Sequence, residues 1–304
     1  MVIQKIPQYV DSILTREDAS AALRTGQIEV GWYTNQSNSQ SVVHSHPYYE
    51  IVLPVAGSAV RYSIDGSIYD LHVGEMIIFP AGLYHAGVFN ITDSVSKRMI
   101  VQINADLWAE ALYQSGLEDC SWHGQLVILD ADAVALWDLR GLFERMAQSA
   151  YLTPRAQIAV QCCEVAELTL LLDHTLEHQC ATPPGATSVL VSKAVAYLQA
   201  NYTDPQLTVA QLAKYTYTSR EHLSRVFREY TLESVHGYLT NLRMQHCRNA
   251  IAAGSSVLDA CTSSGFTNYS SFLKSFRQLY GVTPSEYRAQ LRITKRDGQV
   301  GSEN

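Results

Sequence analysis

The period of the apolar positions changes along the chain. Between residues 28 and 104 they fall in short runs, Ile28–Thr34, Tyr49–Pro54, Ala59–Ile64 and Glu75–Phe79, rich in β-branched and aromatic side chains. Turn signals separate them: Ala56-Gly57, Asp65-Gly66, Val73-Gly74 and Ala81-Gly82. Short strands at near-regular spacing predict a small all-β sandwich or barrel. From residue 132 the period lengthens to that of helices. Ala133–Tyr151 and Pro154–His178 are predicted helices on either side of Thr153-Pro154, a helix-start signal. The second carries Ile158, Val165, Leu168 and Leu172 at near-helical spacing, with leucines on more than one face. Such a helix is deeply buried or forms an interface, and a homodimer contact is expected there. The segment QCATPPGAT that follows reads as a linker.

The last third of the chain repeats itself at an offset of 49 residues: RVFREYTLESVHGY (225–238) against KSFRQLYGVTPSEY (274–287). Each copy predicts two short helices joined by a tight turn. In the first copy Thr208 and Gln211 form a capping box, Lys214–Thr218 the turn, and Ser219 caps a helix with Leu223, Val226, Phe227 and Tyr230 on one face. In the second, Ser256 and Asp259 form the box and Gly265 serves a turn position with positive φ. Asn268 caps a helix with Phe272, Phe276 and Leu279 facing inward. A helix from Val235 to Ala253, stopped by Gly254, joins the copies and spans roughly 28 Å, near the ~34 Å turn of B-DNA. The predicted organisation is a β domain over 1–131, a helical segment over 132–180, a linker over 181–187, an all-α domain over 188–290 and a disordered tail over 291–304.

Charge sharpens this division. The net charge of −7 argues against nucleic-acid binding when averaged over the chain. Residues 188–290, however, hold ten Lys and Arg against six Asp and Glu, or +4, while residues 1–187 carry −12. The basic part can release counterions from a phosphate backbone, and the acidic part would be repelled by it. The exposed faces of the two second helices hold the expected DNA contacts: Arg220, Glu221, Ser224, Arg225 and Arg228 in the first, Tyr269, Ser270, Lys274 and Arg277 in the second. The start of the chain shows no secretory signal, and no apolar run approaches a membrane span, so a cytoplasmic location is expected. None of the six cysteines forms a C-x-x-C pair, and they are expected to be reduced and to pack as small hydrophobes.

The helical repeat resembles the AraC/XylS family of bacterial transcription regulators. The matching residues are Leu212-Ala213, Ser219, Leu223, Arg225 and Phe227, then Gly265-Phe266, Phe272 and Phe276, then Gly281, Thr283-Pro284 and Tyr287-Arg288. The resemblance covers about 100 residues. It implies base contacts from Glu221, Ser224 and Arg225, and from Tyr269, Ser270 and Lys274. Two residues depart from the pattern: Leu232 stands where the family has Gly, and Cys261 where it has Ala.

The strand region contains His44, His46, Glu50 and Gly57, then Gly74, Pro80, Gly82 and His85, which together resemble the two cupin motifs. The family's Asn would fall at Phe89, and Asn90 lies one residue late. On a strand His44, His46 and Glu50 would share a face and point into a barrel, where His85 could join them. Three imidazoles and a carboxylate suit a divalent transition metal, direct contact with an effector, or a structural remnant. Arg61, Tyr62, Tyr84 and Arg98 are further effector-pocket candidates.

The fold expected is an N-terminal cupin-like barrel with flanking helices and a C-terminal all-α domain with two helix-turn-helix units. The expected function is a sequence-specific transcription regulator, not an enzyme, controlled by an effector for which the family suggests a carbohydrate. Its expected partners are double-stranded DNA, the effector, a second copy of the chain and RNA polymerase, without a membrane. Two alternatives are a metal-dependent cupin enzyme fused to a DNA-binding module, and a ligandless regulator whose cupin only dimerises.

Overall fold

A computed structural model describes residues 10–11, 28–35, 37–89, 95–178 and 186–291. Asn90, most of the predicted linker and the tail beyond Leu291 lie outside them. The chain divides into two compact units, the first built mainly from residues 1–186 and the second mainly from 187–304.

The strands of the first unit are β1 (Val10–Asp11), β2 (Ile28–Asn35), β3 (Ser39–Gln40), β4 (Tyr48–Ala56), β5 (Val60–Ile64), β6 (Ser67–Leu71), β7 (Met76–Phe79), β8 (His85–Phe89), β9 (Ser96–Asn104) and β10 (Val127–Leu129). One sheet runs β1-β2-β9-β4-β7-β10, and the other contains β6-β5-β8-β3 in that order. Asp65 and Gly66 both take positive φ, as a tight type I′ hairpin between β5 and β6 requires. The larger sheet is covered on both faces, which explains why β4 reads YYEIVLPVA without clean alternation. On β4, Tyr49, Ile51 and Leu53 face the helices, while Val52 joins Ile77, Phe79 and Ile100 in the core between the sheets.

The helices of this unit are α1 (Ala105–Ser115), α2 (Ala131–Leu136), α3 (Leu139–Ser149) and α4 (Pro154–His178). The single helix expected over 133–151 is broken. Asp138 takes φ 44 and caps α3, its carboxylate accepting from the Gly141 N–H. On α4, Val165, Leu168 and Leu172 are fully buried as expected, but Ile158, on the same face one heptad nearer the start of the helix, is 53% exposed. Trp122 Nε1 donates to Asp173 at 3.0 Å and Trp137 Nε1 to Thr175 at 2.9 Å, fastening α4 to its neighbours. Ala186–Thr187, expected as linker, form a short strand, β11.

The second unit comprises α5 (Val189–Asn201), α6 (Val209–Tyr215), α7 (Arg220–Thr231), α8 (Val235–Ala252), α9 (Val257–Ser263) and α10 (Tyr269–Tyr280), with residues 284–291 also helical. Leu223 and Phe227 of α7 and Phe272 and Phe276 of α10 are fully buried. Met244, Cys247 and Ile251 of α8 pack with α9 and α10 in one core. Burial pushes the Cys247 thiol up to about 12, which suits a packing role. Cys163, by contrast, is exposed, against the expectation for the set.

Candidate DNA-binding face and barrel interior

Each helix-turn-helix is fixed by its caps. The Thr208–Gln211 capping box is complete. The Ser256–Asp259 pair is not a full box: the shorter Asp259 carboxylate accepts from the Ser256 hydroxyl at 2.6 Å. Thr216 and Ser264 end the first helices with the same backbone angles, φ −87 and ψ 4, and the next residues, Tyr217 and Gly265, take φ 55 and φ 82. These positions are 48 residues apart, whereas the caps Ser219 and Asn268 are 49 apart. The turn of the second copy therefore holds one more residue. A Cβ on Gly265 would lie 2.7 Å from the Thr203 carbonyl oxygen. Leu232 takes φ 62 at the position matching Gly281, φ 75, so the family's glycine turn survives without the glycine.

Arg220, Glu221, Ser224, Arg225 and Arg228 are exposed on α7, and Tyr269, Ser270, Lys274 and Arg277 on α10. Arg225 Nη2 lies 3.2 Å from His222 Nδ1, and its Nη1 lies 4.0 Å from Glu229. His222 is thus a neighbour of the candidate contacts that sequence reasoning passed over. Other basic residues serve the fold instead. Arg243 donates to the carbonyls of Tyr202 and Asp204, each at 2.7 Å, tying α8 to the chain between α5 and α6. The Arg248 guanidinium sits 5.3 Å from the Tyr280 ring centroid. Both belong to the count behind the +4 charge without adding to the two exposed helix faces.

The barrel interior follows from strand register. Glu50 pairs with Gln102, Val52 with Ile100 and Pro54 with Arg98. Arg98 in turn pairs with Tyr33, and Ser96 with Asn35. Residues 98, 100 and 102 therefore share the inward face with Glu50 and Tyr33. On the opposite sheet, Tyr62 pairs with Gly87, Val60 with Phe89 and Ile64 with His85. A Cβ on Gly87 would lie 3.1 Å from the Tyr62 ring, so the missing side chain makes room for it.

The histidines converge, although His44 and His46 precede β4 and do not lie on it. One ring nitrogen each of His44, His46 and His85 fall within 4.8 Å of one another. His46 Nε2 lies 3.5 Å and His85 Nε2 3.7 Å from the Glu50 carboxylate. In all three residues Nδ1 meets a backbone carbonyl: Val42 at 2.8 Å, Tyr48 at 2.8 Å and Leu83 at 3.0 Å. Those bonds place the proton on Nδ1 and leave Nε2 as the basic nitrogen, the tautomer a metal ligand needs. Burial lowers the His46 pKa to about 4, so its ring is neutral at neutral pH. The donor set fits a divalent transition metal.

The other pocket candidates separate. Arg61 is exposed and pairs with Asp70 through Nε at 2.7 Å and Nη2 at 2.9 Å, so the expectation that it lines the pocket is wrong; it lies on the inward-outward alternation opposite to Val60 and Tyr62. Tyr84 is half-buried just before β8. Tyr62 and Arg98 are buried in the interior, and burial raises the Tyr62 pKa. Sequence reasoning missed Tyr33, Asn35, Phe89 and Gln102, because only the register reveals which parity of β2, β8 and β9 points inward.

Residues 212–290 match the helix-turn-helix domain family and residues 31–102 the cupin domain family. The HTH-type transcriptional regulator ArgR of Pseudomonas aeruginosa is 31% identical over 109 residues, covering 36% of this chain and 33% of its own. The melibiose operon regulatory protein of Escherichia coli is 21% identical over 257 residues, covering 81% and 82%. The match thus spans about a third of ArgR but most of the melibiose regulator. Among solved structures, apo ToxT from Vibrio cholerae is 12% identical with a TM-score of 0.42, over 88% of this chain and 98% of that one. A probable AraC family transcriptional regulator from Rhodopseudomonas palustris is 26% identical with a TM-score of 0.32, over 34% and 98%.

Proposed function

Because this chain belongs to the AraC/XylS family of regulators with an N-terminal cupin domain, we propose that it binds specific promoter DNA and regulates transcription in response to a small molecule held in the cupin. The observation that carries the reading is the pair of capped helices α7 and α10, each exposing a polar N-terminal face. Helix N-termini favour phosphate contact, and the side chains of the first turns can reach base edges in the major groove. Helix α8, 18 residues or about 27 Å long, joins the two helix-turn-helix copies. The two faces differ, so the two half-sites are different sequences read in a fixed order. Arg220, Glu221, Ser224, Arg225 and Arg228 meet one, and Tyr269, Ser270, Lys274 and Arg277 the other.

We read the chain as a cytoplasmic regulator and not as an enzyme. No helix among the described residues is long and apolar enough to cross a membrane. A homodimer contact through α4, whose Leu170 is exposed opposite the buried seam, and RNA polymerase are the further partners of this reading. The test is fluorescence anisotropy on a DNA fragment selected from a random library by the full chain. Arg225→Ala and Lys274→Ala should each weaken binding by about 1–3 kcal/mol, roughly 5- to 150-fold. Unchanged affinity in both variants would refute the assignment.

A second reading concerns the imidazole cluster. His44, His46 and His85 with Glu50 would hold a divalent transition metal, which when bound supplies a Lewis acid inside the barrel. Protein purified without chelator should then carry about one metal per chain by elemental analysis, and His85→Ala should lose it. Metal well below one per chain, unchanged by that substitution, contradicts this reading.

A further inference from the structure

Arg98 is the largest charged side chain in the barrel and is 0% exposed. Its Nη1 donates to Asn35 Oδ1. The Asn35 amide is itself oriented by its Nδ2 donating to Ser39 Oγ at 2.9 Å. The guanidinium carbon lies 4.3 Å from the Phe89 ring centroid and 5.5 Å from that of Tyr33. The group is therefore held on one edge by an amide and on its face by aromatic rings. Its other edge is different: Nε and Nη2 are buried and have no hydrogen-bond partner among the described residues. Glu50, the carboxylate of the same interior, is directed to His46, His85 and the Gln102 amide. No ion pair to Arg98 within 4 Å occurs among the described residues.

Those two nitrogens form the edge on which a guanidinium grips a carboxylate with two parallel bonds. The chain shows this use on its outer surface, where Nε and Nη2 of Arg61 hold the two oxygens of Asp70. Arg98 presents the same fork inward, with no carboxylate of the described residues on it. A buried charge with unmade bonds is costly, and a site already arranged for its ligand repays that cost on binding. Burial also pulls the Arg98 pKa below its ordinary value, which an incoming anion would reverse.

From this geometry we infer that the effector is a carboxylate, its two oxygens gripped by Nε and Nη2 of Arg98 and its body packed among Tyr33, Tyr62 and Phe89, and not the neutral carbohydrate suggested by the family. The inference rests on the effector reading for placing a ligand inside the barrel, and it adds the ligand's charge and the residue that selects it.

The experiment uses the full chain at constant ionic strength. Benzoate, phenylacetate and hexanoate are each compared with their primary amides, alongside glucose and galactose, by thermal shift and titration calorimetry. At least one carboxylate should bind, with its amide weaker by about tenfold or more, the scale of a charge-assisted pair of bonds. Arg98→Met should erase that preference. Arg98→Lys keeps the buried charge but not the fork, and should erase most of it in a protein that still folds. Carboxylates that do not bind, bind no better than their amides, or keep their preference in both variants would overturn the inference. Titrating the selected DNA with and without each bound probe separates the two readings. A sugar that binds and changes DNA affinity while carboxylates are inert sinks only the ligand class. A carboxylate that binds through Arg98 without changing DNA affinity sinks only the regulatory role.

Discussion

Tyr217 and Gly265 occupy the same place in the two helix-turn-helix units and solve it differently. Both take positive φ, which costs an L-residue about 1–2 kcal/mol. Gly265 avoids that cost and also admits the Thr203 carbonyl, which a Cβ would approach to 2.7 Å. Tyr217 bears the cost while 97% exposed, so its ring adds no packing in return. Opposite signs are expected from exchanging the two solutions. Gly265→Ala should lower the stability of the helical unit by about 2 kcal/mol, and Tyr217→Gly should raise it by about 0.5–1 kcal/mol. Urea denaturation of the full chain, followed through the helical signal, measures both. The glycine was legible in the sequence because only glycine is at ease there; the tyrosine was not, because nothing in its identity announces a left-handed turn.

At the scale of elements, the caps set where the candidate DNA-contacting helices begin. Ser219 accepts from the His222 N–H at 3.1 Å, and Asn268 from the Ser271 N–H at 2.9 Å. Ser219→Ala or Asn268→Ala should each cost about 1 kcal/mol of stability by thermal denaturation, with no loss if the caps are ornamental. These caps could be read in advance because they are local, as could the buried faces of α7 and α10. Helices α1 and α5 were passed over, although their signals are of the same kind. Asn104 caps a run with Leu107, Trp108, Ala111 and Leu112 buried, and Ser188 one with Val191, Ala194, Val195 and Leu198. The break between α2 and α3 was hidden by a continuous helical period, since Asp138 interrupts the helix through its own backbone turn. Strand register is another matter. It joins residues 33 and 98, or 50 and 102, far apart in the chain, so the interior around Arg98 had no local signature.

At the scale of the whole molecule, the charge split and the repeat support the same division of labour. Residues 1–187 carry −12 and would be repelled by a phosphate backbone, while residues 188–290 carry +4 and expose the two candidate helix faces. The positive charge is smaller at the surface than the count suggests, because Arg243 and Arg248 are used within the fold. The proposed function draws affinity from a few contacts on α7 and α10, so the two-helix arrangement is its central claim. Hydroxyl-radical and base-methylation footprinting of the selected DNA tests it most directly. The account predicts two protected major-groove tracts on one face of the duplex, about one helical turn or 10 base pairs apart. Arg225→Ala should weaken one tract and Lys274→Ala the other. A single tract, or loss of both tracts alike in either variant, would contradict it.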